Sequence, residues 1–220
     1  MNYRTFALLW WTLTAVLSAA GVILVLHYTP TEATMGPVQK LFYLHMPSAI
    51  STFLAALLCF IASIGYLTQR QSRWDDLAAA GAVGAVFFCS IVLATGMIWG
   101  HHAWGDWWTW SPRLTFSLVL WLLYVVYLVI RTSIESSQRR ALVSAIYGVI
   151  AFLDVPLVYL SVRLMPDIHP TSVQLAPEMK RTLAFCFIPV LMAAAGMVTH
   201  LYRRNSARRP ADAEARGFAV

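Results

Sequence analysis

Apolar residues gather into six long runs, at about residues 6–28, 49–69, 77–98, 115–131, 141–161 and 182–202, and polar or turn-forming residues are confined between them. A helix needs roughly 17–25 apolar residues to cross a bilayer, and each run meets that requirement. The pattern predicts an all-α integral membrane protein: one membrane domain over residues 1–220, built from six transmembrane helices. The first run follows Arg4 and contains LSAAG, which has the look of a secretory leader. It continues through GVILVL, longer than the 7–15 residues or so of a leader's apolar core, and reads as an uncleaved first helix.

Composition supports this class. Of 220 residues, 59% are hydrophobic and 12% charged, against about 25% charged in soluble domains. The net charge of +6 raises a nucleic-acid reading, but its distribution opposes it. With the N-terminus placed inside, eleven of the sixteen basic residues fall on the cytoplasmic side: Arg4, Arg70, Arg73, Arg131, Arg139, Arg140, Arg203, Arg204, Arg208, Arg209 and Arg216. That positive-inside bias predicts cytoplasmic termini and extracytoplasmic functional loops. Residues 203–220 then form a basic cytoplasmic tail, expected to be flexible. Cys59, Cys89 and Cys186 all lie inside predicted spans without a CxxC pair, and read as small apolar residues. No internal repeat or P-loop occurs, so any ATP hydrolysis belongs to a partner.

Chemistry concentrates between the runs. Residues 99–115 read WGHHAWGDWWTWSPRLT, with Trp99, Trp104, Trp107, Trp108 and Trp110 packed together. Indole favours the membrane boundary, so a dense interfacial belt is one reading. A broad surface for a flat, apolar ligand with a polar rim is the other. Trp104, Trp107 and Trp108 would share a face if this piece were a short interfacial helix. Arg113 is the one cation between the last Trp and the fourth run. It can grip a carboxylate bidentately or snorkel to lipid phosphate.

His45 precedes Met46-Pro47-Ser48. Pro47 suits the first turn of the second helix and biases Met46 away from helical geometry, which would leave His45 at the membrane surface, beside the helix head. There it is either an iron ligand or an interfacial imidazole bonded to backbone. His169 stands between Pro166 and Pro170, on backbone expected to be extended. Asp154, inside the fifth run, is expected to bond backbone groups freed by Pro156. His27, His101, His102 and Asp106 receive no ligand role.

The pattern WG-x3-WG-x-WW-x-W-x2-RLT, carried by Trp99, Gly100, Trp104, Gly105, Trp107, Trp108, Trp110, Arg113, Leu114 and Thr115, resembles the tryptophan-rich WWD domain of haem-handling membrane proteins in cytochrome c maturation, closest to the CcmC type. That family has Asp directly after the last Trp, where this chain has Ser111. Residues 40–49, KLFYLHMPSA, resemble the family's K-[IL]-FY-x-H-x-PSA loop, and Ser161, Val162 and His169 match its SVxWW-x-T-L-H-x loop. Arg163-Leu164-Met165-Pro166 stand where the latter has its aromatic pair.

The resemblance implies a bacterial inner-membrane haem carrier without enzymatic activity of its own. It implies haem b bound transiently through axial ligands His45 and His169, with Trp99, Trp104, Trp107, Trp108 and Trp110 covering the porphyrin. Arg113 would engage a propionate, and Arg163 is a further cation of that kind. The implied partners are the periplasmic haem chaperone CcmE, the ATP-binding-cassette subunits CcmA and CcmB, and the small membrane subunit CcmD. Two other classes remain in view: a cytochrome b-like electron-transfer subunit, usually with His ligands inside its helices, and a non-haem transporter subunit.

Overall fold

The computed structural model describes residues 2–165, 169 and 174–215; for Val162 and residues 209–215 it describes the backbone alone. The described residues form seven α-helices: α1 (Tyr3–Ile23), which runs on as a π-helical turn over Leu24–Tyr28, α2 (Phe42–Gln69), α3 (Ser72–Trp104), α4 (Pro112–Ser133), α5 (Ser137–Ala151), α6 (Asp154–Leu164) and α7 (Pro177–Ala215). They supply six long apolar segments able to cross a membrane, α5 and α6 together making one.

The second span begins earlier than the hydrophobic pattern implies. One turn of 3₁₀ helix, Pro37–Leu41, feeds directly into α2, and Pro47 lies within α2 and not at its start. Met46 is therefore helical. Proline is tolerated because it sacrifices only the bond to the carbonyl four residues back, that of Tyr43, near the helix start. The third span also runs on, to Trp104, where Gly105 adopts φ 84° and donates its N–H to His101 O at 2.9 Å. Only glycine takes that left-handed conformation without strain. Residues 106–111 are not helical, so Trp107 and Trp108 do not continue a face begun by Trp104. The fifth span is split. Pro156 has no N–H for the Phe152 carbonyl, and the chain tightens there through Leu153 N to Ile150 O and Val155 N to Phe152 O, at 3.0 and 3.1 Å. α7 continues past residue 202, through the segment expected to be a flexible tail, as far as Ala215. Residues 216–220 lie outside the described residues.

α2 and α3 make the most extensive contact in the bundle. Small residues allow it: a Cβ on Gly81 would meet Ala55 O and Cys59 N at 2.9 Å, and one on Gly84 would meet Ala55 Cβ at 3.2 Å. The core around this seam combines Ala55, Ala56, Cys59, Ala82 and Ala85 with Leu120, Tyr124 and Tyr127 of α4. All three cysteines are buried and free. α1 is peripheral. It docks on α7 through Trp10, whose indole N–H donates to Met192 O at 3.0 Å, and it exposes Leu8, Leu9, Leu13 and Val16.

At the end of the bundle opposite the Trp-rich loop, the Arg131 guanidinium pairs bidentately with Asp75, joining α4 to α3. Asp76 receives the Ser206 hydroxyl at 2.7 Å, tying α3 to α7.

Candidate functional site

A cavity of about 480 Å³ opens at the Trp-rich end and reaches down to Leu120 and Val158 of the core. Helical periodicity on α2 builds one wall: Phe42, His45, Ala49, Thr52 and Phe53 recur every three or four residues and all face the cavity. Val92, Thr95, Gly96 and Trp99 of α3 build the next in the same way. Arg113, Leu114 and Ser117 enter from the first turns of α4, and Tyr159 and Arg163 from α6. His169, Leu175 and Leu183 complete the lining. The wall is mostly apolar, with a few polar groups near the mouth, the usual make-up of a site for an amphiphilic small molecule.

Because α2 starts at Phe42, His45 projects from a regular helix and not from a loop. Its Nδ1 lies 2.9 Å from Thr95 Oγ1 of α3. The second imidazole, His169, lines the same cavity, and its Nδ1 lies 3.5 Å from Arg113 Nη1. A guanidinium carries donors only, so the imidazole nitrogen is the acceptor in that contact. Arg163 rests over the Tyr159 ring, 4.9 Å from its centroid.

The indoles divide into two sets. Trp99, Trp104 and Trp108 line the cavity, Trp99 and Trp104 packing edge to face at 5.1 Å and 89°. Trp107 and Trp110 lie outside its lining and are 58% and 75% exposed. Trp107 stacks flat on His101 at 4.1 Å, and Trp110 sits edge-on to Trp108 at 5.8 Å. His101 donates from Nδ1 to Gly105 O at 3.1 Å and so closes the end of α3.

The rim between the indoles and α4 holds a set of unused donors. Trp108 Nε1, Thr109 Oγ1 and Ser111 Oγ are buried with no hydrogen-bond partner among the described residues. Ser111 occupies the N-cap of α4, but its side chain makes no cap bond. Pro112 follows at the first helical position. An N-terminal turn presents open N–H groups and the positive end of the helix dipole. Arg113, that helix terminus and the three side-chain donors together suit a ligand with anionic groups at one edge. Deeper in the fold, Asp154 Oδ2 is buried without a partner among the described residues, in place of the backbone bonds expected of it.

Sequence patterns missed Thr95, Tyr159 and the depth of the cavity. Thr95 reads as one more hydroxyl in an apolar run, and only the register of α3 against α2 brings it to His45. No group of three or more His, Cys, Asp or Glu able to hold a bare metal ion occurs among the described residues, so the two imidazoles are not part of such a cluster.

The family described as CcmC, Heme exporter protein C, matches residues 2–214. The chain is 30% identical over 183 residues to Heme exporter protein C of Escherichia coli strain K12, covering 81% of this chain and 74% of that one. It is 29% identical over 189 residues to the protein of that name from Bradyrhizobium diazoefficiens, covering 80% and 72%. For that of Haemophilus influenzae the figures are 27% over 189 residues, covering 85% and 76%. With six apolar spans and a match over nearly its whole length, the chain belongs to the Heme exporter protein C family.

Proposed function

We propose that this protein carries haem at the extracytoplasmic face of the bacterial inner membrane and presents it to the periplasmic haem chaperone of cytochrome c maturation. The observation that carries the reading is one cavity lined by two imidazoles, three indoles and two arginines. Its volume and apolar walls suit a flat aromatic macrocycle. His45 and His169 approach from different parts of the fold and serve as the axial ligands. Trp99, Trp104 and Trp108 cover the porphyrin, while Trp107 and Trp110, exposed outside the cavity, extend that apolar surface at its mouth. Arg113 and the unpartnered donors of Trp108, Thr109 and Ser111 receive propionate, and Arg163 is the second cation.

Two imidazoles leave the iron no open coordination position, so the site holds its cargo without oxygen chemistry. The chain supplies binding and orientation alone. Energy for transfer comes from the implied ATP-binding-cassette subunits CcmA and CcmB, with CcmD as the small membrane subunit and CcmE as the acceptor. The bias of basic residues supports an orientation with both termini in the cytoplasm and the Trp-rich end in the periplasm.

Titration of the detergent-purified protein with haem, followed by Soret absorbance, tests the site. His45→Ala and His169→Ala are each expected to weaken binding by at least about 100-fold and to change the band. Unchanged binding in both variants overturns the ligand assignment. The absence of binding by the wild type overturns the carrier reading.

A further inference from the structure

We infer that Thr95 is a positioning residue for the cargo's first axial ligand: it fixes the tautomer and ring orientation of His45 so that Nε2 is presented, unprotonated, to the cavity. This inference rests on the haem-carrier reading above.

The Thr95 hydroxyl has one proton, and the helix claims it. Oγ1 lies 2.7 Å from Ile91 O and 3.2 Å from Val92 O, the back-bonding geometry of a threonine within a helix. With its proton directed at those carbonyls, Oγ1 meets His45 Nδ1 at 2.9 Å as an acceptor. Nδ1 must then carry the imidazole proton, which leaves the lone pair of a neutral ring on Nε2. Neutral imidazole in that tautomer is ready to ligate iron with no prior proton loss. An Nδ1–H held by an acceptor is the arrangement by which proteins orient a ligating histidine and raise its donor strength.

The surroundings make the contact rigid. Thr95 is buried, at 7% exposure. Both partners sit on regular helices, and the seam holding those helices together allows little sliding. Gly81 lies against Ala55 and Cys59, Gly84 against Ala55, and, farther along, Gly96 against His45, where a Cβ would stand 3.5 Å from Cε1. The pairing of Thr95 with His45 continues this antiparallel register. His169 is held differently, since its Nδ1 faces a donor, Arg113. Of these two cavity imidazoles, that of His45 presents Nδ1 as the donor.

The test is haem titration and potentiometry on the full-length protein in detergent. Thr95→Val keeps the shape of the side chain and removes the acceptor. It is expected to weaken haem binding by about 10-fold to 100-fold and to raise the reduction potential, because an imidazole relieved of its acceptor is a poorer donor to ferric iron. Thr95→Ser, which keeps the hydroxyl, is expected to restore both. In a His45→Ala background Thr95→Val is expected to add nothing, which separates an action through His45 from a general packing defect. Wild-type affinity and potential in Thr95→Val, in a protein whose wild type binds haem, overturn this role and leave the carrier reading intact. A full additional loss in the His45→Ala background also overturns it. If the wild type takes no haem, the carrier reading fails and this inference fails with it.

Discussion

In the proposed haem site, individual side chains divide between apolar cover and polar placement. Arg113 sits on the first turn of α4, where helix dipole and guanidinium act in the same direction. Arg113→Gln removes the charge while keeping a donor, and a charge-assisted hydrogen bond is worth roughly 1.5–3 kcal/mol. The expected result is about a 10-fold to 100-fold loss of haem affinity in the same Soret titration. With haem dimethyl ester, whose propionates are uncharged, wild type and variant are expected to bind alike. An equal deficit with both ligands would assign Arg113 to packing instead. Ser111, standing where the resembled pattern has Asp, leaves a neutral buried hydroxyl without a cap bond. The indoles, His45 and Arg113 stand out in the sequence by residue type and position, whereas His169 gains its ligand role only through the family resemblance. Thr95 does not stand out, because a hydroxyl gains its meaning from the atom opposite, and that atom lies 50 residues away.

At the scale of elements, the α2–α3 pair is the frame of the site. Its close approach depends on Gly81, where backbone atoms of α2 leave no room for a methyl group. Gly81→Ala forces the two helices apart, since Ala55 O and Cys59 N cannot swing away as a side chain can. Overpacking of this kind typically costs about 1–3 kcal/mol. Lower thermal stability is expected, together with weaker haem binding as the His45–Thr95 contact shifts. Gly84→Ala, whose Cβ would meet side-chain carbons alone, Ala55 Cβ at 3.2 Å and Val198 and Met197 at 3.6 and 3.7 Å, is expected to be milder in a thermal-shift assay. The hydrophobic runs revealed these spans but not their ends. Apolar periodicity fades where a helix leaves lipid, although the backbone continues, as α2 does through Phe42–Ser48 and α3 through Trp99–Trp104. Pro47 and Pro156 illustrate the same gap. Both lack a donor; one is absorbed within the first turns of α2, and the other divides a span in two.

Across the whole molecule, the two ends of the bundle do different jobs. One end opens into the cavity. The other is locked by the Asp75–Arg131 pair and by Asp76 with Ser206. Removing one partner of this largely buried ion pair strands the other, at a cost of up to about 3–5 kcal/mol. Asp75→Ala is therefore expected to lower thermal stability markedly while leaving haem affinity in the surviving folded protein unchanged; replacing both, as Asp75→Leu with Arg131→Met, is expected to recover much of the loss. A large affinity change in Asp75→Ala would show that the ends are coupled. Hydrophobic patterning does not join Asp75 to Arg131, because the pairing depends on how α4 packs against α3.

If one cavity provides two imidazole ligands from separate segments, low-temperature electron paramagnetic resonance of the ferric haem complex reads both at once. A low-spin bis-imidazole signal is expected in the wild type, replaced by a high-spin signal in His45→Ala and in His169→Ala alike. A high-spin wild type, or a low-spin signal that survives both substitutions, would contradict this pair of ligands.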